Sequence, residues 1–499
     1  MSAFQRLAIA IAIVPVLAIG LAGCQRGVAP VSTVGEVEFT RALAIPPLAE
    51  STTDAAGRRV FALEAGRGES DLGGEVPTAT LGYNGALLGP TLVAVEGETV
   101  RIDVRNSLPD TTTVHWHGMH LPAAMDGSPH QPIQPGGEAS PTWEIDQPAA
   151  TLWYHPHPHG ETEGQVSRGL AGMFIVRDDR EAALDLPRAY GEDDIPVIVQ
   201  DVRLDDSDQL SSEGRAFVGA LGDELLVNGT PGPYIDVTTM VVRLRLLNAS
   251  TARVYDFAID DGRDIAVIAS DGGLLAAPVS TSGIQLSPGE RAEVLVELVP
   301  GETAVLRSSP PDLGMPEVLA ASNAGADSFD VLELRAAASL TAAGSVPDTL
   351  VPLDLPDESS VTEERRFVLD GTQINQQSMD ATRIDEVVTL GATEVWNVHN
   401  TMAFPHNFHV HDVQFAVLAI GGAAPPAVLA GWKDTVYLRP NIDYRLIMRF
   451  TDYADPETPY MYHCHLLAHE DQGMMGQFVV VAPGQRAGTI DQGDSHDQH

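Results

Sequence analysis

The segment Tyr462-His463-Cys464-His465-Leu466-Leu467-Ala468-His469-Glu470-Asp471-Gln472-Gly473-Met474 lies near the end of a 499-residue chain. In a β-strand successive side chains face opposite ways, so Cys464 points to one face while His463 and His465 share the other. One short strand can therefore reach two metal centres. A thiolate, imidazole and a distant thioether make up the ligand set of a blue copper site, in which two His and one Cys surround the metal and Met sits weakly on the axis. Cys464, His469 and Met474 supply three of those four groups. The two flanking histidines then need other metals to bind.

Their co-ligands come from three clusters further up the chain: His115-Trp116-His117, His155-Pro156-His157 and His406-Asn407-Phe408-His409-Val410-His411. A lone His or Cys is more often a packed core residue than a ligand. Here ten of the 16 histidines fall in four motifs, and none lies between His159 and His399. Scattered core histidines would not leave such a gap.

The length implies two to four domains. With 46 Gly, 35 Pro and many Val/Thr-rich runs, the composition points to an all-β protein with many turns. Acidic residues outnumber basic ones 69 to 29, a net charge of -40; that field repels phosphate backbones and excludes nucleic acid as a partner. Of the two cysteines, Cys24 ends Leu21-Ala22-Gly23-Cys24, after an apolar stretch from Leu7 to Leu21 with Arg6 before it. The stretch reads as an export signal, short of the roughly 20 apolar residues of a bilayer span. Its ending resembles the bacterial lipobox, which implies a lipid anchor at Cys24 and a place in the periplasm or on the outer cell surface. Ordinary cleavage nearby and an uncleaved anchor are the alternatives. With Cys24 and Cys464 so committed, no intramolecular disulfide is expected, although export permits one.

In chain order, residues 1-24 are the signal segment and 25-35, small and polar, a flexible tether without regular structure. A first β domain follows over 36-180, with short β runs such as Thr91 to Glu96, Thr99 to Asn106 and Phe174 to Arg177 between Gly and Pro turns. A second, over 190-338, contains the alternating run Val241 to Asn248 and the strand candidate Glu293 to Leu298. It has neither His nor Cys and reads as a structural spacer. Residues 339-364, with Pro347, Pro352 and Pro356, form a linker; a third domain covers 365-482, and 483-499 is a disordered tail in which His496 and His499 are solvated.

Together these residues carry a family likeness. Tyr83-Asn84-Gly85 with Gly89-Pro90-Thr91, His115-Trp116-His117-Gly118, Trp153-Tyr154-His155-Pro156-His157, Arg243 to Asn248, Pro288-Gly289-Glu290-Arg291 and the His-Cys-His segment resemble bacterial three-domain multicopper oxidases, in the laccase, bilirubin oxidase and cuprous oxidase branch. The resemblance runs from about Val37 to Ala482, with the copper motifs in the family's order. It implies three cupredoxin-like Greek-key β-barrels and four copper ions. His406, Cys464 and His469, with Met474 axial, match the type 1 ligands; His115 and His409 match type 2; His117, His155, His157, His411, His463 and His465 match the type 3 pair. Asp126 and Glu470 resemble the family's proton-handling acids, and the family analogy implies a monomer.

The chemistry agrees. Reducing dioxygen to water takes four electrons while most donors give one, so several coppers must store charge. The backbone around Cys464 joins its sulfur to His463 and His465, and the first and third domains must meet because neither has enough ligands alone. His120 and His159 are expected to support ligands through hydrogen bonds, His130 and His399 to have ordinary surface or core roles, and Trp116 and Trp153 to wall the sites.

Two departures stand out. The family often has Pro directly after the first His of the third cluster, whereas here Pro405 precedes His406 and Asn407 follows it. The 12 methionines are dispersed, with none from Pro316 to Ser378. Thioethers favour Cu(I), so the missing Met-rich insert weakens a copper-detoxification role. The leading expectation is a laccase-like oxidase of phenols, aromatic amines or other small organic donors. A metal-ion oxidase acting on Cu(I), Fe(II) or Mn(II) is the second reading, and a non-catalytic copper-binding scaffold or carrier is the third, disfavoured by the intact ligand set. A two-domain copper nitrite reductase would not need all four clusters.

Overall fold

The computed structural model describes residues 30-211, 217-342 and 346-490. The expected signal segment with Cys24, the start of the tether and the end of the tail with His496 and His499 lie outside them.

Strands with Val, Ile, Leu and Phe on alternate positions pair into sheets that close face to face, giving three cupredoxin-type barrels. In the first, a sheet built on Arg59–Ser70 and Thr99–Asn106 opposes one ordered Leu92–Val95, Gly172–Arg177, Ala150–His155, His115–His117. Phe61, Ile102, Trp116, Leu152 and Phe174 fill the space between. The second barrel is centred on Val197, Leu244, Phe257, Val294 and Leu332. The third is centred on Phe367, Trp396, Phe408, Leu446 and Phe478. One of its sheets runs Glu386–Thr389, Met475–Val481, Asp455–His463, His406–Val410, Thr435–Leu438.

The second barrel reaches beyond the segment assigned to it. Residues 31–42, expected as tether and then first domain, dock there instead. The Val31 amide donates to Asp327 Oδ1 at 2.9 Å, the Gly35 amide donates to Asp330 Oδ2 at 2.8 Å, and Arg41–Ala42 pairs in parallel with Pro233 and Tyr234. The Arg41–Ala42 pairing covers the start of the strand Pro233–Thr239, at Pro233 and Tyr234, where edge backbone groups would otherwise lack partners. Beyond the strand Phe329–Thr341, the linker is laid against the same barrel: Leu350 is buried in its core, and its amide donates to Ala276 O at 2.9 Å.

The run Val241–Asn248 alternates as a half-exposed strand should, yet all eight residues are buried. Its polar face meets carboxylates of its own domain, together with Glu181 and Thr151 from the first-domain side, rather than water. Arg243 bonds Glu293 and Glu181, and Arg245 bonds Asp194, Glu293 and Thr151. Burial pushes the Glu293 carboxyl up, but Arg243 and Arg245 outweigh it and hold it at about 2. Removing one member of such a network would leave a buried charge unpaired, at a cost of about 3–5 kcal/mol.

Candidate metal centres

The clustered histidines sit at strand ends. In the first domain His115–His117 pairs antiparallel with Ala150–His155, placing His115 opposite His155; in the third, His409 lies opposite His463. The two edges face each other, and all ten clustered histidines and Cys464 are buried.

The thiol site lies within the third domain. Cys464 ends the strand side of a loop that turns through the helix Leu467–Asp471, which carries His469 back towards it. The Cys464 amide donates to Met474 O at 3.2 Å, so the loop closes on itself with the Met474 side chain fully buried. Cys464 Sγ lies 3.5 Å from His406 Nδ1 and 3.7 Å from His469 Nδ1, and those two nitrogens are 3.1 Å apart. A metal with bonds of ~2.0 Å to nitrogen and ~2.3 Å to sulfur, at trigonal to tetrahedral angles, separates its ligands by roughly 3.3–3.7 Å. Both sulfur–nitrogen distances fall in that range and the nitrogen–nitrogen distance lies just below it. Burial pushes the metal-free Cys464 thiol up to about 12.

At the interface between the outer domains the other eight histidines form a second group. His155 Nε2 lies 3.4 Å from both His117 Nδ1 and His465 Nε2. His463 Nε2 lies 3.2 Å from both His157 Nε2 and His411 Nε2. A neutral imidazole has one N–H and one lone pair, so three nitrogens converging on one point cannot all satisfy one another; a cation between them resolves the conflict. His115 Nε2 and His409 Nε2 are buried with no hydrogen-bond partner, while their Nδ1 atoms meet Asp126 O at 3.0 Å and Asp434 O at 2.9 Å. Burial, with neighbouring imidazoles adding to it, holds His117, His155, His157, His409, His411 and His465 well below the ordinary imidazole value. Neutral imidazole is the metal-binding form. Both groups therefore fit bound transition metals, and thiolate with imidazole suits copper.

Two predicted acids lie against this group. Asp126 Oδ2 is 2.8 Å from His411 Nδ1 and its Oδ1 is 3.3 Å from His115 Nδ1, so one carboxylate touches a histidine of each domain. Glu470 is 3.3 Å from both His157 Nδ1 and His463 Nδ1, again one from each domain. Burial, and then Asp471, raises its carboxyl well above the ordinary value.

Sequence reasoning missed further contributors. Asp434 Oδ1 lies 3.0 Å from His117 Nε2. Asp434 is gripped by Arg291 of the histidine-free domain, through Nη1 at 2.7 Å and Nη2 at 2.6 Å. Asn407, noted only as a departure, accepts from the His465 amide at 2.6 Å and donates to Pro288 O at 2.8 Å. Pro288 to Arg291 had carried a resemblance but no role.

The supporting histidines differ from expectation. The His120 amide donates to Gln147 Oε1 while its ring Nε2 has no hydrogen-bond partner among the described residues, and His159 is exposed. His130 Nε2 meets Gln477 Oε1 at 2.8 Å, linking first and third domains, and His399 lies 2.9 Å from Asp443. Trp153 stacks on His155 at 4.1 Å, walling the site, whereas Trp116 faces the first core against Trp143.

Three family models, each described as multicopper oxidase, match residues 64–181, 199–304 and 350–484. A multicopper oxidase from Staphylococcus haemolyticus is 34% identical over 442 residues, covering 87% of this chain and 92% of the relative. A cell division protein, FtsP, from Xenorhabdus nematophila is 36% identical over 476 residues, covering 93% and 97%. Among solved structures, a laccase-like multicopper oxidase from the lignin-degrading bacterium Ochrobactrum sp., with oxidase activity towards lignin model compounds and lignosulfonate, superposes with a TM-score of 0.80. It is 35% identical and covers 88% of this chain and 100% of that one.

Proposed function

The chain belongs to the multicopper oxidase family, and from that premise we propose that it is a laccase-like oxidase, coupling four one-electron oxidations of a small aromatic donor to the reduction of dioxygen to water. On this reading His406, Cys464, His469 and Met474 hold the type 1 copper, His115 and His409 the type 2 copper, and His117, His155, His157, His411, His463 and His465 the type 3 pair. Copper at these sites supplies one-electron acceptance from the donor and the multi-electron chemistry of dioxygen.

The chain's own residues do the rest. Cys464 joins the two sites through the backbone to His463 and His465. Asp126 and Glu470 each brace one histidine from either domain, and they place carboxyl groups where dioxygen reduction consumes protons. The buried Glu470 carboxyl holds its proton until it is drawn off.

The observation that favours an aromatic donor is the surface over His469. His469 Nε2 donates to Phe217 O at 3.0 Å, the Phe217 ring lies 5.1 Å from the imidazole and 4.5 Å from Phe404, and Phe217 is 43% exposed. An aromatic pair beside the ligand offers a stacking platform for an aromatic ring. Oxygen uptake by copper-loaded protein with a phenolic donor tests the reading: four oxidations per oxygen without peroxide are expected. Turnover on Cu(I), Fe(II) or Mn(II) alone would replace the donor class, and no uptake with any donor would favour a scaffold, the direction in which the cell-division relatives point. On the same footing, lipid attachment at Cys24 predicts membrane-bound protein that Cys24→Ser releases.

A further inference from the structure

The domain without histidine or cysteine presses a turn against the eight-histidine site. Gly289, at φ +85°, has its backbone so close to the ligand candidates that a Cβ there would lie 3.1 Å from His465 Nδ1 and 3.2 Å from His117 Cε1. Two residues on, Arg291 is completely buried and spends its donors on all three domains: Thr151 O in the first, Asp271 O and Gly289 O in its own, and both Asp434 oxygens in the third.

Asp434 in turn serves two histidines from different domains. Its carboxylate meets His117 Nε2 at 3.0 Å and its carbonyl meets His409 Nδ1 at 2.9 Å. Those two rings stack at 3.8 Å, nearly parallel at 11°. Thr435 Oγ1 lies 3.1 Å from the same two nitrogens. The orientation of a metal-bound imidazole is fixed by what holds its other nitrogen. Asp434 fixes one candidate type 3 ligand and one candidate type 2 ligand at once.

We infer that Arg291 is a positioning residue for the trinuclear copper site, setting the His117–His409 pair through Asp434, so that the copper-free domain controls the geometry of the site it does not ligate. This rests on the copper assignment above but not on the donor or on turnover. A lysine at 291 can neutralise Asp434 but cannot grip both its oxygens while also reaching Thr151 O.

The test compares Arg291→Lys and Asp434→Asn with Arg243→Lys, another buried and multiply paired arginine of the same domain that bonds Glu181 and Glu293. The readouts are the type 2 copper EPR signal and the rate at which a chelator strips that copper, neither of which needs activity. Arg291→Lys and Asp434→Asn are expected to alter the type 2 signal and strip about 10- to 100-fold faster, keeping the blue colour of Cys464-bound copper. Arg243→Lys is expected to lower the melting temperature and leave the type 2 signal unchanged. If Arg291→Lys fails to fold, Asp434→Asn, which preserves size, decides. An unaltered type 2 signal in Asp434→Asn and in every folded Arg291 variant overturns the inference, as does an equal change in Arg243→Lys. Wild-type protein that binds no type 2 copper would defeat the copper assignment instead, and with it the ground for this inference.

Discussion

The two candidate metal centres are assembled in opposite ways. The thiol site takes His406, Cys464 and His469 from one barrel, and its loop closes on a backbone bond between Cys464 and Met474. The eight-histidine site draws four residues from the first domain and four from the third, braced by carboxyls that each touch both sides. One is a product of a single fold; the other exists only where interfaces close. Cys464 and its flanking histidines are the covalent seam between them.

If this contrast is right, the thiol site can be destroyed alone. Cys464→Ser should abolish the blue colour and reduce donor oxidation to background while the type 2 EPR signal persists; simultaneous loss of both signals would break the contrast. Glu470→Gln acts on the interface site only, slowing dioxygen reduction by about 10²-fold with the blue colour kept, and undiminished turnover would remove Glu470 from its role. Asn407→Ala probes the seam. It leaves the His465 amide and Pro288 O without their partner, which should cost about 1–3 kcal/mol of stability and shift the blue absorption band; denaturant unfolding and the visible spectrum report both. The smallest effect is expected at the donor surface. Phe217→Ala should raise the KM for aromatic donors by roughly 2- to 10-fold, from an aromatic contact worth about 0.5–1.5 kcal/mol, with little change for a small inorganic one-electron donor.

The ligand candidates were legible because histidines and a cysteine at strand spacing are rare and carry their own chemistry. Asp126 and Glu470 were legible only through family resemblance, since an acidic residue in this chain is ordinary. Arg291, Asp434 and Gly289 escaped because their significance lies in pairings far apart in sequence: His117 and Asp434 are 317 positions apart, Arg291 and Asp434 143. The alternating run at Val241 was correctly a strand, but alternation cannot say whether the polar face meets water or buried carboxylates such as Glu293, Asp194 and Glu181. Asn407 drew notice as a missing proline, and only the fold reveals the bonds its amide makes.

The docking of residues 31–42 onto the second barrel bears on how the molecule folds. Val31 and Asp327, which bond to each other, are 296 positions apart. Segments fold as they emerge, N-terminal ones first, yet this one meets its first strand partners only at Pro233 and Tyr234, and Asp327 later still. Closing so long a loop is slow. Until it happens, the strand edge at Pro233 and Tyr234 stays open, and the matching segment of a second copy can fill it as well as its own, which is the route to a swapped dimer. Crowded refolding should therefore produce swapped dimers that dilute refolding does not.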